Sequence, residues 1–188
     1  MGIGLYGGTF DPVHDAHLAI AREALARCGL ERVLLIPASR PPHKRGLAHA
    51  SYEHRYQMVE LACAGDPRLE ASRLEAGARQ SYSIDTIERV RTALGPTAKL
   101  FWIIGADAFA EIRTWRRWRD VAAQVEFIVV SRPGHAYDLP AGARVHRLDT
   151  LALPVSSSEV RRRLARGCFD VPVPAAVLAY IREHALYR

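Results

Sequence analysis

Short apolar segments alternate with amphipathic segments along most of this chain, and this alternation restricts the fold more than any other feature of the sequence. Strands are expected at 3–7, 33–37, 99–105 and 125–131, with further candidates at 69–76 and 144–148. Helices are expected at about 15–28, 51–65, 83–94, about 107–122, 156–167 and from Pro174 to about His184. Gly29 should end the first helix, Ser83 should cap the third and Pro174 should occupy the first position of the last. Strands that alternate with helices predict an α/β fold, a Rossmann-like doubly wound parallel sheet with a short helical C-terminal part.

The length and composition indicate one domain over residues 1–188. A chain of 188 residues with 49% hydrophobic and 24% charged residues can bury one sizeable core. It contains no apolar run near the ~20 residues that cross a bilayer, and its start is unlike a signal peptide, so neither a membrane protein nor an exported one is expected. Three widely spaced cysteines, Cys28, Cys63 and Cys168, predict reduced and buried thiols in a cytoplasmic protein.

The net charge of +6 indicates an anionic partner, without deciding between nucleic acid and a phosphorylated metabolite. Only two of the 26 Lys and Arg residues are lysines, Lys44 and Lys99. Such an arginine bias also fits genomic base composition alone. It nevertheless draws attention to Lys44, which lies in the irregular segment 37–50.

The loop after the first predicted strand carries the first chemical signal, in the sequence LYGGTFDPVHDAH at 5–17. Gly7 and Gly8 would let backbone N–H groups approach an anion, and the next helix begins there with its favourable dipole. His14 and His17 stand at that helix entrance, where imidazole can donate to phosphate oxygens. Ordinary helix-start histidines are the alternative. A Walker loop and an H-E-x-x-H zinc site are excluded because their sequences are absent, so no metal ligands are predicted.

Two remote motifs give a resemblance to a known family. GGTFDPVHDAH resembles the first signature of the HxGH-type nucleotidyltransferase superfamily, and VSSSEVR at 155–161 resembles its second. Further segments resemble the bacterial nicotinate mononucleotide adenylyltransferase branch. They are PPHK (41–44), HRYQM with Arg55 and Met58, SYSIDTI (81–87), WIIGAD (102–107), TWRRW (114–118) and VVSRPG (129–134). The chain departs from the pattern at Ala16, at Ser158 and at Arg116, which replace glycine, threonine and an aromatic residue respectively.

The resemblance implies transfer of AMP from ATP to nicotinate mononucleotide, with Mg²⁺ bound mainly through the ATP phosphates. It implies catalytic roles for His14, His17, Lys44 and Arg161, with Lys44 bridging the phosphates of both substrates. The implied ATP-binding residues are Gly7, Gly8, Thr9, Phe10, Gly105, Asp107, Ser157 and Ser158. The mononucleotide would contact Thr86, Trp115 and Lys44, with the Trp115 indole stacked on the pyridine ring.

Each of these residues also has a structural interpretation. Asp107 and the serines at 156–158 could cap helices, and Arg162 and Arg163 could form a solvated face. Trp115 and Trp118 among arginines could bind single-stranded nucleic acid, although the resemblance argues against such a partner. Phosphopantetheine adenylyltransferase and a non-catalytic nucleotide- or RNA-binding module are the rival functions. The sequence leaves homo-oligomer formation and the choice between the acid and amide mononucleotides open.

Overall fold

The computed structural model describes residues 2–40, 48–131, 136–149 and 155–188. Six strands form one sheet in these ranges: β1 (Gly2–Gly8), β2 (Leu30–Pro37), β3 (Leu69–Ala71), β4 (Lys99–Gly105), β5 (Glu126–Ser131) and β6 (Arg144–Asp149). Every pair is parallel, and the strand order is β3-β2-β1-β4-β5-β6. The order reverses between β1 and β4, which is where ligands bind in open sheets of this kind. The predicted Rossmann-like α/β fold is therefore confirmed.

Seven α-helices flank the sheet in the described ranges. They are α1 (Asp15–Cys28), α2 (Tyr52–Cys63), α3 (Ser83–Leu94), α4 (Ala106–Ala110), α5 (Trp118–Gln124), α6 (Ser157–Leu164) and α7 (Ala175–Glu183), with a 3₁₀ turn at Ile112–Thr114. Gly29 ends α1 with a left-handed φ of 59°, as the sequence predicts. None of the described helices is long and apolar enough to span a bilayer.

The core has two apolar layers because successive residues of a buried strand face opposite sides. On β2, Val33 and Leu35 join one cluster, while Leu34 and Ile36 join the other. The first cluster includes apolar residues of α1, α2, α6 and α7, and the second includes those of α3, α4 and α5. The sheet is thus covered on both faces, and its residues can contact a ligand only at strand ends.

Several local predictions are wrong. The helix expected at about 107–122 is broken into α4, the 3₁₀ turn and α5. The backbone is extended at Trp115 and adopts a left-handed φ of 51° at Arg117, and neither conformation continues a helix. The strand expected at 69–76 ends at Ala71. Tyr82 rather than Ser83 is the N-cap of α3, and Pro174 precedes α7 as its N-cap. Cys168 is exposed and Cys28 is half-buried, so only Cys63 fits the predicted burial.

Candidate active site

The conformation of the loop between β1 and α1 depends on Gly8. Phe10 has a left-handed φ of 48° and is buried, with 2% of its surface exposed. A Cβ added at Gly8 would lie 2.9 Å from the Phe10 ring. Glycine at position 8 therefore lets the Phe10 ring pack against the end of β1.

The two predicted histidines lie against each other at the start of α1. Their rings are stacked with centroids 3.6 Å apart, and the His14 backbone N–H donates to His17 Nδ1 at 3.2 Å. Because Nδ1 of His17 accepts, the neutral ring carries its proton on Nε2. Burial lowers the pKa of His14 to about 4, so this imidazole is neutral at pH 7. At neutral pH the His14 ring can therefore act as a hydrogen-bonding group but not as a cation.

The second motif docks directly on the first. Arg161 on α6 donates from Nη1 to the Asp11 carbonyl at 2.6 Å and from Nη2 to the Ser158 hydroxyl at 3.2 Å. The Ser157 hydroxyl donates to the Pro12 carbonyl at 3.0 Å. Residues about 150 positions apart thus meet at the same loop, as the resemblance implies.

Asp11 holds this loop to two distant segments. Its carboxylate accepts from the His49 N–H at 2.7 Å, the Ala50 N–H at 3.1 Å and the Tyr187 hydroxyl at 2.7 Å. Burial opposes ionisation, but these three bonds and the Arg161 charge outweigh it and hold the pKa of Asp11 below its usual value. Asp11 is therefore an ionised anchor of the loop.

Arg55 is the second buried anchor, and sequence reasoning alone gave it no role. Its guanidinium donates to the Thr9 carbonyl at 2.7 Å, the Ala38 carbonyl at 2.8 Å and the Ala50 carbonyl at 3.2 Å. Only 2% of the residue is exposed. Its helical spacing from Met58 gave no sign that the side chain turns toward the strand ends. Arg55 fixes Thr9 relative to the end of β2.

A cavity of about 550 Å³ opens at the carboxyl ends of β1 and β4. Gly7, Gly8, Thr9 and Gly105 line it beside Trp115, which contacts Trp102 edge-to-face at a centroid distance of 6.2 Å. The other lining residues are Tyr6, Ala38, Glu75, Ser81, Tyr82, Ser83, Ile103, Ile104, Ala108, Thr114 and Arg116. The cavity joins the glycine turns to an aromatic wall, which suits a ligand with phosphate and ring parts.

Thr86 is placed differently from the other predicted contacts. It is 1% exposed, it is not among the residues that line the cavity, and its hydroxyl donates to Glu75 Oε1 at 2.7 Å. Glu75 itself lines the cavity and is 4% exposed. No sequence signal marked Glu75, which falls inside the segment interpreted as a strand.

Three further residues from the sequence analysis are Asp107, Arg116 and Lys44. Asp107 is exposed in the first turn of α4, directly after Gly105 at the end of β4. Arg116, where the family pattern has an aromatic residue, lies 4.8 Å over the Tyr82 ring and 3.8 Å from the Asp85 carboxylate. Lys44 lies outside the described residues.

Comparisons with known proteins agree on the family of this chain. Residues 5–163 match the cytidylyltransferase-like family model. A probable nicotinate-nucleotide adenylyltransferase of Solibacter usitatus is 60% identical over 187 residues, which cover 100% of both chains. A protein of the same description from Thermus thermophilus is 43% identical over 190 residues, also with 100% coverage of both.

Solved structures of low sequence identity share the fold. The Plasmodium falciparum nicotinic acid mononucleotide adenylyltransferase complexed with NaAD has a TM-score of 0.80 at 18% identity, covering 99% of this chain and 97% of its own. A putative nicotinate-nucleotide adenylyltransferase from Vibrio parahaemolyticus has a TM-score of 0.72 at 18% identity, with 100% and 96% covered. With the two signature motifs joined at one loop, this chain belongs to the cytidylyltransferase-like family and, within it, to the nicotinate-nucleotide adenylyltransferases.

Proposed function

We propose that this chain transfers the adenylyl group of ATP to the 5′-phosphate of nicotinate mononucleotide, releasing pyrophosphate and forming the dinucleotide. One observation carries this proposal beyond family membership. The bond from Arg161 Nη1 to the Asp11 carbonyl brings the cationic helix α6 to the histidine loop at the end of β1. A phosphate chain is the ligand that imidazole, guanidinium and glycine N–H groups together favour.

The phosphate-binding part comprises His14, His17, Arg161, Ser157 and Ser158. The nucleophile is a phosphate monoester, largely dianionic at neutral pH, so it needs alignment and charge relief rather than a strong base. One of its oxygens bonds to the α-phosphorus, the bond to the bridging oxygen breaks, and pyrophosphate leaves with that electron pair. The imidazole donors and the Arg161 guanidinium would stabilise the charge that develops on the leaving group.

The mononucleotide would occupy the aromatic side of the cavity. The Trp115 indole is half-buried against Trp102, which fixes a ring face at the wall. The N-terminus of α3, at Ser83, lies on the same wall and favours a carboxylate. The proposed contacts of ATP remain Gly7, Gly8, Thr9, Phe10, Gly105 and Asp107. Lys44 would contact the phosphates, and Thr86 would lie near the pyridine end of the mononucleotide.

Mg²⁺ would enter with ATP. This ion keeps much of its water and is commonly held by substrate phosphates with few protein ligands. Bound in that way, it would neutralise the triphosphate and favour departure of pyrophosphate. The residues that face it would be those of the phosphate-binding part.

Pyrophosphate release tests the activity directly. The protein is incubated with ATP and Mg²⁺ and one acceptor at a time: nicotinate mononucleotide, nicotinamide mononucleotide or phosphopantetheine. We expect release with the acid mononucleotide and a dinucleotide product of matching mass. Release with phosphopantetheine alone would overturn the proposal. If none of the three acceptors supports release, a non-catalytic binding module would be favoured.

A further inference from the structure

Glu75 is a buried acid on the wall of the substrate cavity that the mechanism above does not use. Its Oε1 accepts from the Thr86 hydroxyl at 2.7 Å. Its Oε2 is inaccessible to solvent and makes no hydrogen bond of good geometry within the described ranges. No ion pair joins Glu75 to a cation among those residues. This carboxyl group, one oxygen of which lacks a well-oriented hydrogen bond in the described ranges, therefore lies beside the cavity.

The groups around Glu75 compensate its charge only in part. Burial raises the pKa of this carboxyl, while the Ser81 and Thr86 hydroxyls, the Ser39 N–H and the Arg89 charge act in the opposite direction. Arg89 donates to the Leu74 carbonyl, and Arg116, also on the cavity wall, is paired with Asp85. The Tyr52 phenol, in the described part of the chain, also interacts with the Glu75 charge. The carboxyl is thus a group whose proton affinity a nearby ligand charge can change.

The proposed substrate brings such a charge. Ser81, Tyr82 and Ser83 line the cavity with Glu75, and α3 begins at Ser83. A pyridine carboxylate at that helix N-terminus would approach Glu75, which is 4% exposed. Two carboxylates in such a site hold one proton between them, because both cannot be ionised cheaply. An amide in the same position brings no second charge.

We propose that Glu75 is a specificity-determining residue that takes up one proton from solvent when the acid mononucleotide binds and none when the amide binds. This inference rests on the function proposed above. Its consequence is a pH dependence that belongs to the acid substrate. At pH values where Glu75 is already protonated in the ligand-free protein, the acid mononucleotide binds without proton uptake. At higher pH the uptake opposes binding, and KM for the acid rises by up to about tenfold per pH unit.

Kinetics with both mononucleotides test the inference, because their 5′-phosphates titrate alike and only the pyridine substituent differs. For the wild type, we expect the ratio of KM for the acid to KM for the amide to increase with pH. In Glu75→Gln this ratio should be independent of pH, and KM for the acid should fall below the wild-type value at the alkaline end. Glu126→Gln is the control, since Glu126 lies at the amino end of β5, whereas the cavity lies at the carboxyl ends of β1 and β4. This variant should keep the wild-type profile.

Calorimetry gives a second measurement that needs no variant. Binding of each mononucleotide to the wild-type protein is measured in two buffers of different ionisation enthalpy. We expect up to one proton to be taken up with the acid, beyond any uptake with the amide. Equal uptake with both ligands, or an unchanged KM ratio in folded Glu75→Gln, would overturn the inference. Absence of turnover with either mononucleotide would instead overturn the proposed function.

Discussion

At the scale of single residues, burial sets the protonation state of His14. His14 is 4% exposed, and its Nδ1 has no hydrogen-bond partner in the described part of the chain. The sequence indicated imidazoles beside phosphate but could not decide between neutral and charged rings. That choice depends on desolvation, which is a property of the folded loop.

His14 should therefore make stability depend on pH. Its pKa falls from an ordinary value of 6.5 to about 4 in the fold, so between these values the unfolded chain binds more protons. Stability is then fully present above the unfolded pKa and is lost as pH falls toward the folded one, by about 2 to 3 kcal/mol. Urea unfolding of wild type and His14→Gln from pH 7 to 4.5 measures this. Parallel stability curves for the two proteins would contradict it.

The two glycine turns should respond differently to alanine. A Cβ at Gly8 meets the Phe10 ring at 2.9 Å, whereas a Cβ at Gly105 meets no protein atom within 4 Å. Gly8→Ala should lower the free energy of unfolding by about 1 to 3 kcal/mol. Gly105→Ala should leave it within about 0.5 kcal/mol and raise KM for ATP about tenfold by intruding on ligand space. Thermal unfolding and KM measurements separate the two, and an unchanged KM in Gly105→Ala would remove Gly105 from the ATP contacts.

At the scale of secondary-structure elements, apolar periodicity predicted the strands and helices well wherever one face is continuously buried. The predicted bounds of α3 and β4 agree with the structure, and α1 ends where Gly29 predicted. The pattern failed at 107–122, because helical spacing of apolar residues does not reveal a left-handed backbone at Arg117. Trp115 lies in this broken segment, so the apolar periodicity of the sequence could not predict the backbone that positions the aromatic wall of the site.

The three arginines of helix α6 differ in their contacts. Arg161 contacts the Asp11 carbonyl, whereas Arg162 and Arg163 are exposed and pair with Glu159 on their own helix. Arg161→Ala should lower kcat/KM about 100-fold or more, because the phosphates lose a guanidinium. Arg162→Ala is the control on the same helix and should stay within about twofold. Steady-state kinetics on both variants test this prediction. Turnover close to the wild-type value in folded Arg161→Ala would exclude Arg161 from the mechanism.

At the scale of the whole molecule, the sheet order β3-β2-β1-β4-β5-β6 creates the crevice, and long-range contacts complete it. The fold class could be predicted from alternation of strands and helices. The convergence of Asp11, Arg55 and Tyr187 could not, since their separations of 44 and 132 residues along the chain follow no periodic rule. Glu75 was likewise beyond prediction, because a lone acid in an irregular segment gives no sign that it will be buried beside a cavity.

Tyr187 should couple the end of the described chain to ATP binding. Its hydroxyl donates to Asp11 at 2.7 Å, so Tyr187→Phe removes a bond to a buried carboxylate and should cost about 1.5 to 3 kcal/mol of stability. The pKa of Asp11, lowered in the fold, should rise in this variant, so the stability that is lost as pH falls below the unfolded pKa of Asp11 should be smaller than in the wild type. KM for ATP should also increase as the loop loosens.

Tyr180→Phe provides the matched control for this prediction. Its hydroxyl contacts His54 Nδ1 at 2.9 Å rather than the loop, so stability should fall while KM for ATP stays unchanged. Acid titration of unfolding and ATP kinetics on both variants test the assignment. An equal KM effect in the two variants would show that Tyr187 acts only through general stability.

The bond between Tyr187 and Asp11 also has a consequence for how the protein is made. Chains are synthesised from the N-terminus, and their early segments begin to fold during translation. The loop of Asp11 leaves the ribosome well before residue 187, and its carboxylate gains this partner only after residue 187 has cleared the exit tunnel. A nascent chain stalled before that point should already contain most of the sheet, while its capture of nucleotide should remain weak.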